Sequence, residues 1–335
     1  MTTLRPQSSD WQQEVKRAIR SPQRLLQRLG LLAQFQDQLA KLEKAGQDFP
    51  VFVPEPYLQR IEPQNAHDPL LRQVLPLPDE LDDLPGFQAD PVNDLGAIKA
   101  PGVLQKYHGR VLLVVNSVCA VHCRYCFRRH FPYSENSGIA ANWDHAVSFV
   151  SKNKDISEVI LSGGDPLMLT DVRLQELFGQ LAQIPTVRTI RLHTRVPVMI
   201  PERISPALLD LFSSSRCQVV MVVHVNHGNE IDDPVRVMFR KLKSAVSLLL
   251  NQSVLLRGVN DSGETLSELS TKLIANGVLP YYLHQLDRVA GAGHFEVPVE
   301  RGKELIGYLR NRLPGYAVPK YVIEEPGERH KISLD

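Results

Sequence analysis

The sequence predicts an α/β fold in which six strand-helix units build one parallel sheet, and three features lead to it. From Val111 onward short β-branched runs recur: "VLLVVN" (111–116), "EVILSGG" (158–164), "TIRLHTR" (189–195), "QVVMVVHVN" (218–226), "SLLLNQSVLLR" (247–257) and "LPYYLHQLD" (279–287). Between them lie stretches with apolar residues on one helical face, "LQELFGQLAQI", "SPALLDLF", "DPVRVMFRKLKSAV" and "TLSELSTKLIANG". Polar residues then gather at the carboxyl ends of the runs: Cys119, Asp165, His193 with Arg195, His224 with Asn226, Gln252 and Asp287. A parallel sheet is either doubly wound or curled into a barrel, and a barrel brings such ends to one mouth, where those folds keep their chemistry. Six units rather than eight predict a partial (β/α)6 barrel, open on one side.

Taken in order, residues 1–100 form a mainly helical and irregular extension. Leucines in "SPQRLLQRLGLLAQFQDQLAKLEK" recur at helical spacing, and the Asp-Pro pairs between Val51 and Pro101 predict an irregular packed connector. The barrel core follows over 101–290, and 291–335 is a short C-terminal segment. Two of the helical stretches open at Ser-Pro or Asp-Pro, as helix starts do.

Composition narrows the function. With 38 basic against 37 acidic side chains the net charge is +1, without a basic tail or stripe, so nothing points to nucleic acid. No apolar run reaches the ~18 residues of a membrane helix, and the first residues lack the apolar core of a signal peptide, so a cytoplasmic protein is expected. In a reducing compartment four cysteines are not a disulfide framework.

Three of those cysteines, Cys119, Cys123 and Cys126, fall within "CAVHCRYC" directly behind the first run. The fourth, Cys217, stands alone as a small buried apolar residue. A structural zinc wants a fourth ligand, which His122 or His130 would have to supply. An iron-sulfur cluster held by three thiolates leaves one iron open to an external molecule, and the missing fourth cysteine is then the useful feature.

The "CAVHCRYC" loop, together with the glycine-rich strand end "SGGDPL", resembles the radical S-adenosylmethionine (SAM) superfamily. The further motifs "KYHGRVLLVV", "CFRRHF", "VNHGNEI", "NQSVLLRGVND", "PYYLHQLD", "GHF" and "PGYAVPKYVIEEPG" narrow the resemblance, over roughly residues 60–335, to the lysine 2,3-aminomutases. That resemblance implies a radical SAM barrel with a [4Fe-4S] cluster on Cys119, Cys123 and Cys126. It implies SAM held by Gly163, Gly164, Asp165, His224 and Gln252, with His193, Arg195 and Asn226 as further candidates lining its pocket. It also implies pyridoxal 5'-phosphate (PLP) on Lys331, the catalytic lysine, with Arg110 near the phosphate. The family's glycine run is here "PGERHK".

Substrate recognition follows the same resemblance. Lysine presents a carboxylate and a distant ammonium; Arg128 matches the guanidinium for the first, Asp287 and Glu324 the acids for the second. Two acids would repel the second carboxylate of glutamate, the substrate of related aminomutases. "YCFRRHFPYSEN" and a chain that stops at Asp335 resemble the short form called elongation factor P lysine 2,3-aminomutase. The implied reaction is (S)-α-lysine to (R)-β-lysine, with the product attached to elongation factor P by a lysyl ligase and electrons from an external donor. A free-lysine or glutamate enzyme of another pathway and a structural metal-binding module are the alternatives. Oligomeric state is left open.

Overall fold

Ten strands hydrogen-bond in sequential order into one sheet. They are β1 (Ile98–Ala100), β2 (Val103–Leu104), β3 (Arg110–Asn116), β4 (Glu158–Gly163), β5 (Thr189–Thr194), β6 (Gln218–His224), β7 (Leu248–Val254), β8 (Leu279–His284), β9 (Lys320–Ile323) and β10 (Ile332–Ser333). The structure, a computed structural model, describes residues 10–133 and 143–335. The first nine residues and positions 134–136 of the "YCFRRHFPYSEN" motif lie outside the described residues.

The six expected runs are β3 to β8, all parallel. A seventh parallel strand, β9, joins β8 from the C-terminal segment, with β10 antiparallel beside it. Sequence reading missed β9 because it is four residues long and directly follows Pro319, which gives no periodic signal. On the opposite edge β1, β2 and β3 pair antiparallel. The sheet is hydrogen-bonded edge to edge without closing, yet it curls: Lys106 Nζ, between β2 and β3, reaches Glu324 Oε1, just after β9, at 2.9 Å.

Near-continuous burial marks the central strands, five of six residues in β4 and five of seven in β6, as expected where helices cover one face and packed side chains the other. The covering helices follow their sequence signals. Helix Asp171–Ala182 starts at Thr170, whose side chain accepts from Arg173 N, and buries Leu174, Leu177, Phe178 and Leu181. Helix Asp233–Ala245 is capped by Asp232 and buries Val235, Met238, Phe239, Leu242 and Ala245. Ser205 and Ser262 cap helices Pro206–Ser213 and Gly263–Ala275 in the same way.

The leucine-rich stretch 21–44 is not one amphipathic helix. It breaks into helix Pro22–Arg28, a 3-10 segment Leu32–Gln38 and helix Leu39–Ala45. Gly30 takes φ +69° just after the first, a left-handed stop that an L side chain resists. Leu25, Leu26, Leu29, Leu31 and Leu42 still go inward. The extension buries them in the same hydrophobic core as the helix-facing residues of β3 to β6, so it packs as part of the barrel's wall. Among the described residues no helix is long and apolar enough to cross a membrane.

Candidate active site

β3 and β4 end side by side, and their following loops are laced together. Asn116 donates from Nδ2 to the Asp165 carbonyl at 2.7 Å and accepts at Oδ1 from Val118 N at 2.8 Å; Gly164 N and Asp165 N donate to the carbonyls of Asn116 and Val118. This lacing admits only glycine at two positions. Gly163 has φ +117°, and a Cβ on Gly164 would lie 2.4 Å from the Val118 carbonyl oxygen.

On the loop after β3, Cys119, Cys123 and Cys126 are free thiols set close enough to influence one another's acidity. Burial, then the charge of Cys126, pushes Cys119 well above the ordinary thiol value, and burial with Cys123 pushes Cys126 to about 11. A metal centre that accepts three thiolates would remove that penalty. A zinc site would take its fourth ligand from His122 or His130, each of which has one ring nitrogen tied to the backbone: His122 Nδ1 meets Pro50 O at 2.8 Å with its ring stacked on Phe49, and His130 Nε2 meets Ala290 O at 3.2 Å. Among the described residues no three His, Cys, Asp or Glu side chains are grouped to hold a single metal ion. A cluster asks for one thiolate per iron, and the donor set fits it.

The extension grips this loop. His122 N donates to Phe52 O, Arg124 N to Gln73 O, and the buried Glu80 carboxylate accepts from Arg124 at 2.8 and 2.5 Å and from Arg129 at 2.8 Å. Neither the spacing nor the composition of the connector signals Glu80 or Gln73.

Asp165, expected to face SAM, is fully engaged by the protein and needs correction. Its Oδ1 accepts from Leu167 N and the Thr194 hydroxyl, its Oδ2 from Arg195 N and Val196 N, so no acceptor position is left for a ligand. Burial raises its pKa above the ordinary carboxyl value despite those four donors. Asp165 therefore ties the ends of β4 and β5. Arg195 and Asn226 enter a buried network described below. His224 meets the Tyr125 hydroxyl at 3.1 Å and is held neutral, near 3, by burial and then by Arg195. Gln252 pairs in register with His224 on β7, half-buried beside it.

A second group lines the barrel from β3 round to β10. Arg128 donates from Nε to Asp94 Oδ2 at 2.7 Å and from Nη1 to Ser162 Oγ at 3.0 Å. Asp94 Oδ1 pairs with Lys106 Nζ at 2.7 Å, Lys106 with Glu324 Oε1, and Glu324 Oε2 accepts from Lys331 Nζ. Five charges thus alternate in sign from Arg128 to Lys331. Burial opposes ionising Glu324, but the two lysines outweigh it and hold the carboxyl near 2. Asp287 faces the same group without a cation of its own: burial, then Glu324, raises it to about 7. His193, also expected in the SAM pocket, is lowered far below an ordinary histidine by burial and then by the charge of Arg191. Asp94 gave no signal in sequence, and Lys106, though it opens the motif "KYHGRVLLVV", was given no role.

Deeper between the strands, buried nitrogens lack partners: Arg110 Nε, Arg191 Nε, His193 Nε2 and His284 Nε2. Arg110 packs its guanidinium 4.9 Å over the Tyr107 ring.

Comparisons with known proteins bear on this arrangement. Residues 107–194 match the family model described as "4Fe-4S single cluster domain". The L-lysine 2,3-aminomutase of Escherichia coli (strain K12) is 44% identical over 335 residues, covering 100% of this chain and 97% of the relative. That of Haemophilus influenzae is 42% identical over 325 residues (97% and 95%), and that of Clostridium subterminale 34% over 320 residues (95% and 76%). Full-length likeness of this order, on a barrel whose loop carries the three clustered thiols, shows that the chain belongs to the L-lysine 2,3-aminomutase family.

Proposed function

We propose that this chain is the isomerase that converts (S)-α-lysine to (R)-β-lysine, using a [4Fe-4S] cluster, SAM and PLP, to supply the modification of elongation factor P. The observation that carries the reading is the alternating chain Arg128, Asp94, Lys106, Glu324, Lys331, with Asp287 turned toward it. Bound together, the cluster and SAM supply a carbon radical that takes a hydrogen from substrate, while PLP supplies the conjugated ring that stabilises the migrating nitrogen.

The chain's own residues position and shield. Arg128, buried and oriented by Asp94 and Ser162, presents its remaining N–H groups to a substrate carboxylate. Asp287 and Glu324 form an acidic end for the side-chain ammonium, which favours lysine over glutamate. A lysine entering there displaces Lys331 or Lys106 from Glu324, so substrate binding and release of the Lys331 amine are linked. The orphaned nitrogens of Arg110, Arg191, His193 and His284 fit an anion such as the PLP phosphate, whose oxygens would satisfy donors that are otherwise buried without partners. His224, Gln252 and the Gly163–Gly164 turn remain the residues for SAM. The "YCFRRHFPYSEN" motif around and after Cys126 supports the elongation factor P assignment by resemblance.

The test is anaerobic. Purified chain is reconstituted with iron and sulfide, then given PLP, SAM, dithionite and (S)-α-lysine, and products are resolved by chiral chromatography with mass detection. (R)-β-lysine that disappears in Cys123→Ala and Lys331→Ala supports the reading; SAM cleavage with lysine untouched overturns the substrate. Elongation factor P incubated with its lysyl ligase and the product should gain one β-lysyl residue by mass.

A further inference from the structure

One buried polar network at the strand ends takes no part in the roles above. Arg195 sits at the end of β5 and directs Nη1 to Cys123 Sγ at 2.7 Å. Its Nη2 donates to Gln73 Oε1 at 2.6 Å and to Glu230 Oε2 at 3.0 Å, while the guanidinium lies 5.8 Å from both the Tyr57 and Tyr125 rings. Gln73 and Glu230 have no solvent exposure. Gln73 Oε1 also accepts from Asn226 Nδ2 at 3.1 Å and the Tyr125 hydroxyl at 3.3 Å, and its Nε2 donates to Glu230 Oε1 at 3.2 Å. The Glu230 Oε1 is further pinned by the backbone N–H groups of Asn226 and His227. One guanidinium is therefore fixed by residues from the extension and from the loop after β6, and aimed at a sulfur on the cysteine loop.

That arrangement has a chemical meaning only for a thiolate. A neutral thiol gains little from an arginine, whereas a cysteine sulfur bound to iron carries negative charge that grows when the cluster takes up an electron. A charge-assisted N–H···S bond to Cys123 stabilises the more negative state. Among the described residues neither Cys119 nor Cys126 accepts from a guanidinium, and Cys126 has only a backbone N–H from Arg128, so the arginine's effect falls on one of three ligands.

We infer that Arg195, locked by Gln73 and Glu230, is a positioning residue that hydrogen-bonds the Cys123 ligand and raises the reduction potential of the cluster. Gln73 makes the extension part of that control. The inference rests on the cluster sitting at these cysteines, which iron content tests separately, and it is independent of the substrate.

The experiment is an anaerobic redox titration of the reconstituted full chain, with the reduced cluster followed by electron paramagnetic resonance and iron and sulfide counted per chain. Arg195→Gln should keep its iron and shift the midpoint to lower potential. Gln73→Leu should shift it the same way by less, and Arg195→Lys, which keeps the charge, should recover part of the loss. An unchanged midpoint in iron-replete Arg195→Gln overturns the inference. So does failure of all three variants to hold iron, since the network would then be scaffolding for the loop alone.

Discussion

Lys331 Nζ donates to the Glu324 carboxylate across the β9–β10 pair, and the same carboxylate accepts from Lys106 on the far edge of the sheet. One side chain thereby holds Lys331, just before β10, to the opposite edge of the sheet. Because Glu324 is held near 2, it is ionised throughout the ordinary pH range. A depressed carboxyl contributes stability that is complete above about pH 4.5 and is lost as pH falls toward its folded value. Glu324→Gln should cost about 2 kcal/mol at pH 7. In urea titrations the wild-type midpoint should drop between pH 5 and pH 3 more steeply than that of the variant; parallel slopes would remove Glu324 as the source.

Asp287 predicts the opposite window. Its carboxyl, raised to about 7 by burial and by Glu324, holds its proton in the folded chain where the unfolded chain has lost it. Stability from this group is full below about pH 4 and declines as pH rises through 7. Asp287→Asn should therefore flatten the fall in stability between pH 5 and pH 8. For catalysis, the ionised form is the one that attracts the substrate ammonium, so kcat/KM for lysine should rise from pH 6 to pH 8 in the wild type. If the variant keeps that rise, the titrating group is another residue.

Glu80 predicts a link between the extension and the cluster loop. Its carboxylate, buried with only about one per cent side-chain exposure, neutralises both Arg124 and Arg129. Glu80→Gln leaves two buried guanidiniums with backbone carbonyls and a neutral amide but without the carboxylate that balances their charge, which should cost about 3–5 kcal/mol. Iron retained after reconstitution should fall with it, because Arg124 and Arg129 flank Cys126. Thermal unfolding and iron content of the same preparation measure both; a stable variant that loses no iron would show that the extension can let go of the loop.

What could be read in the sequence differs by range. The central strands were legible because burial on both faces enforces runs such as "VLLVV" and "VVMVV", and the cysteines because their spacing lies within one loop. Asp165 was found but given the wrong partner, since its position at a strand end does not say that four donors already surround it. Gln73 and Asp94 carried no signal, and Glu230 and Lys106, though inside the motifs "VNHGNEI" and "KYHGRVLLVV", were given no role. Gln73 and Glu230 are 157 residues apart, Lys106 and Glu324 218, and the hydrogen bonds that define them exist only after the sheet has curled. The split of stretch 21–44 was missed for a local reason, a single left-handed Gly30 inside an otherwise helical pattern.

Glycine supplies the last contrast. A Cβ at position 164 would sit 2.4 Å from the Val118 carbonyl and 2.6 Å from both Val118 N and Asn116 Oδ1. Those groups are held by the lacing that brings β4's end to the cysteine loop, so they cannot yield without breaking it. Gly164→Ala should destabilise the chain by about 1–3 kcal/mol and weaken SAM binding to the reconstituted protein. Gly179, within helix Asp171–Ala182, has nothing within 4 Å of its would-be Cβ. There alanine has better helix propensity, and Gly179→Ala should raise stability by about 0.5–1 kcal/mol with SAM affinity unchanged. Calorimetric binding of SAM and urea unfolding of the two variants separate the cases. Equal and small effects at both positions would mean that the loop after β4 has room to move, and that its glycines do not set the SAM site.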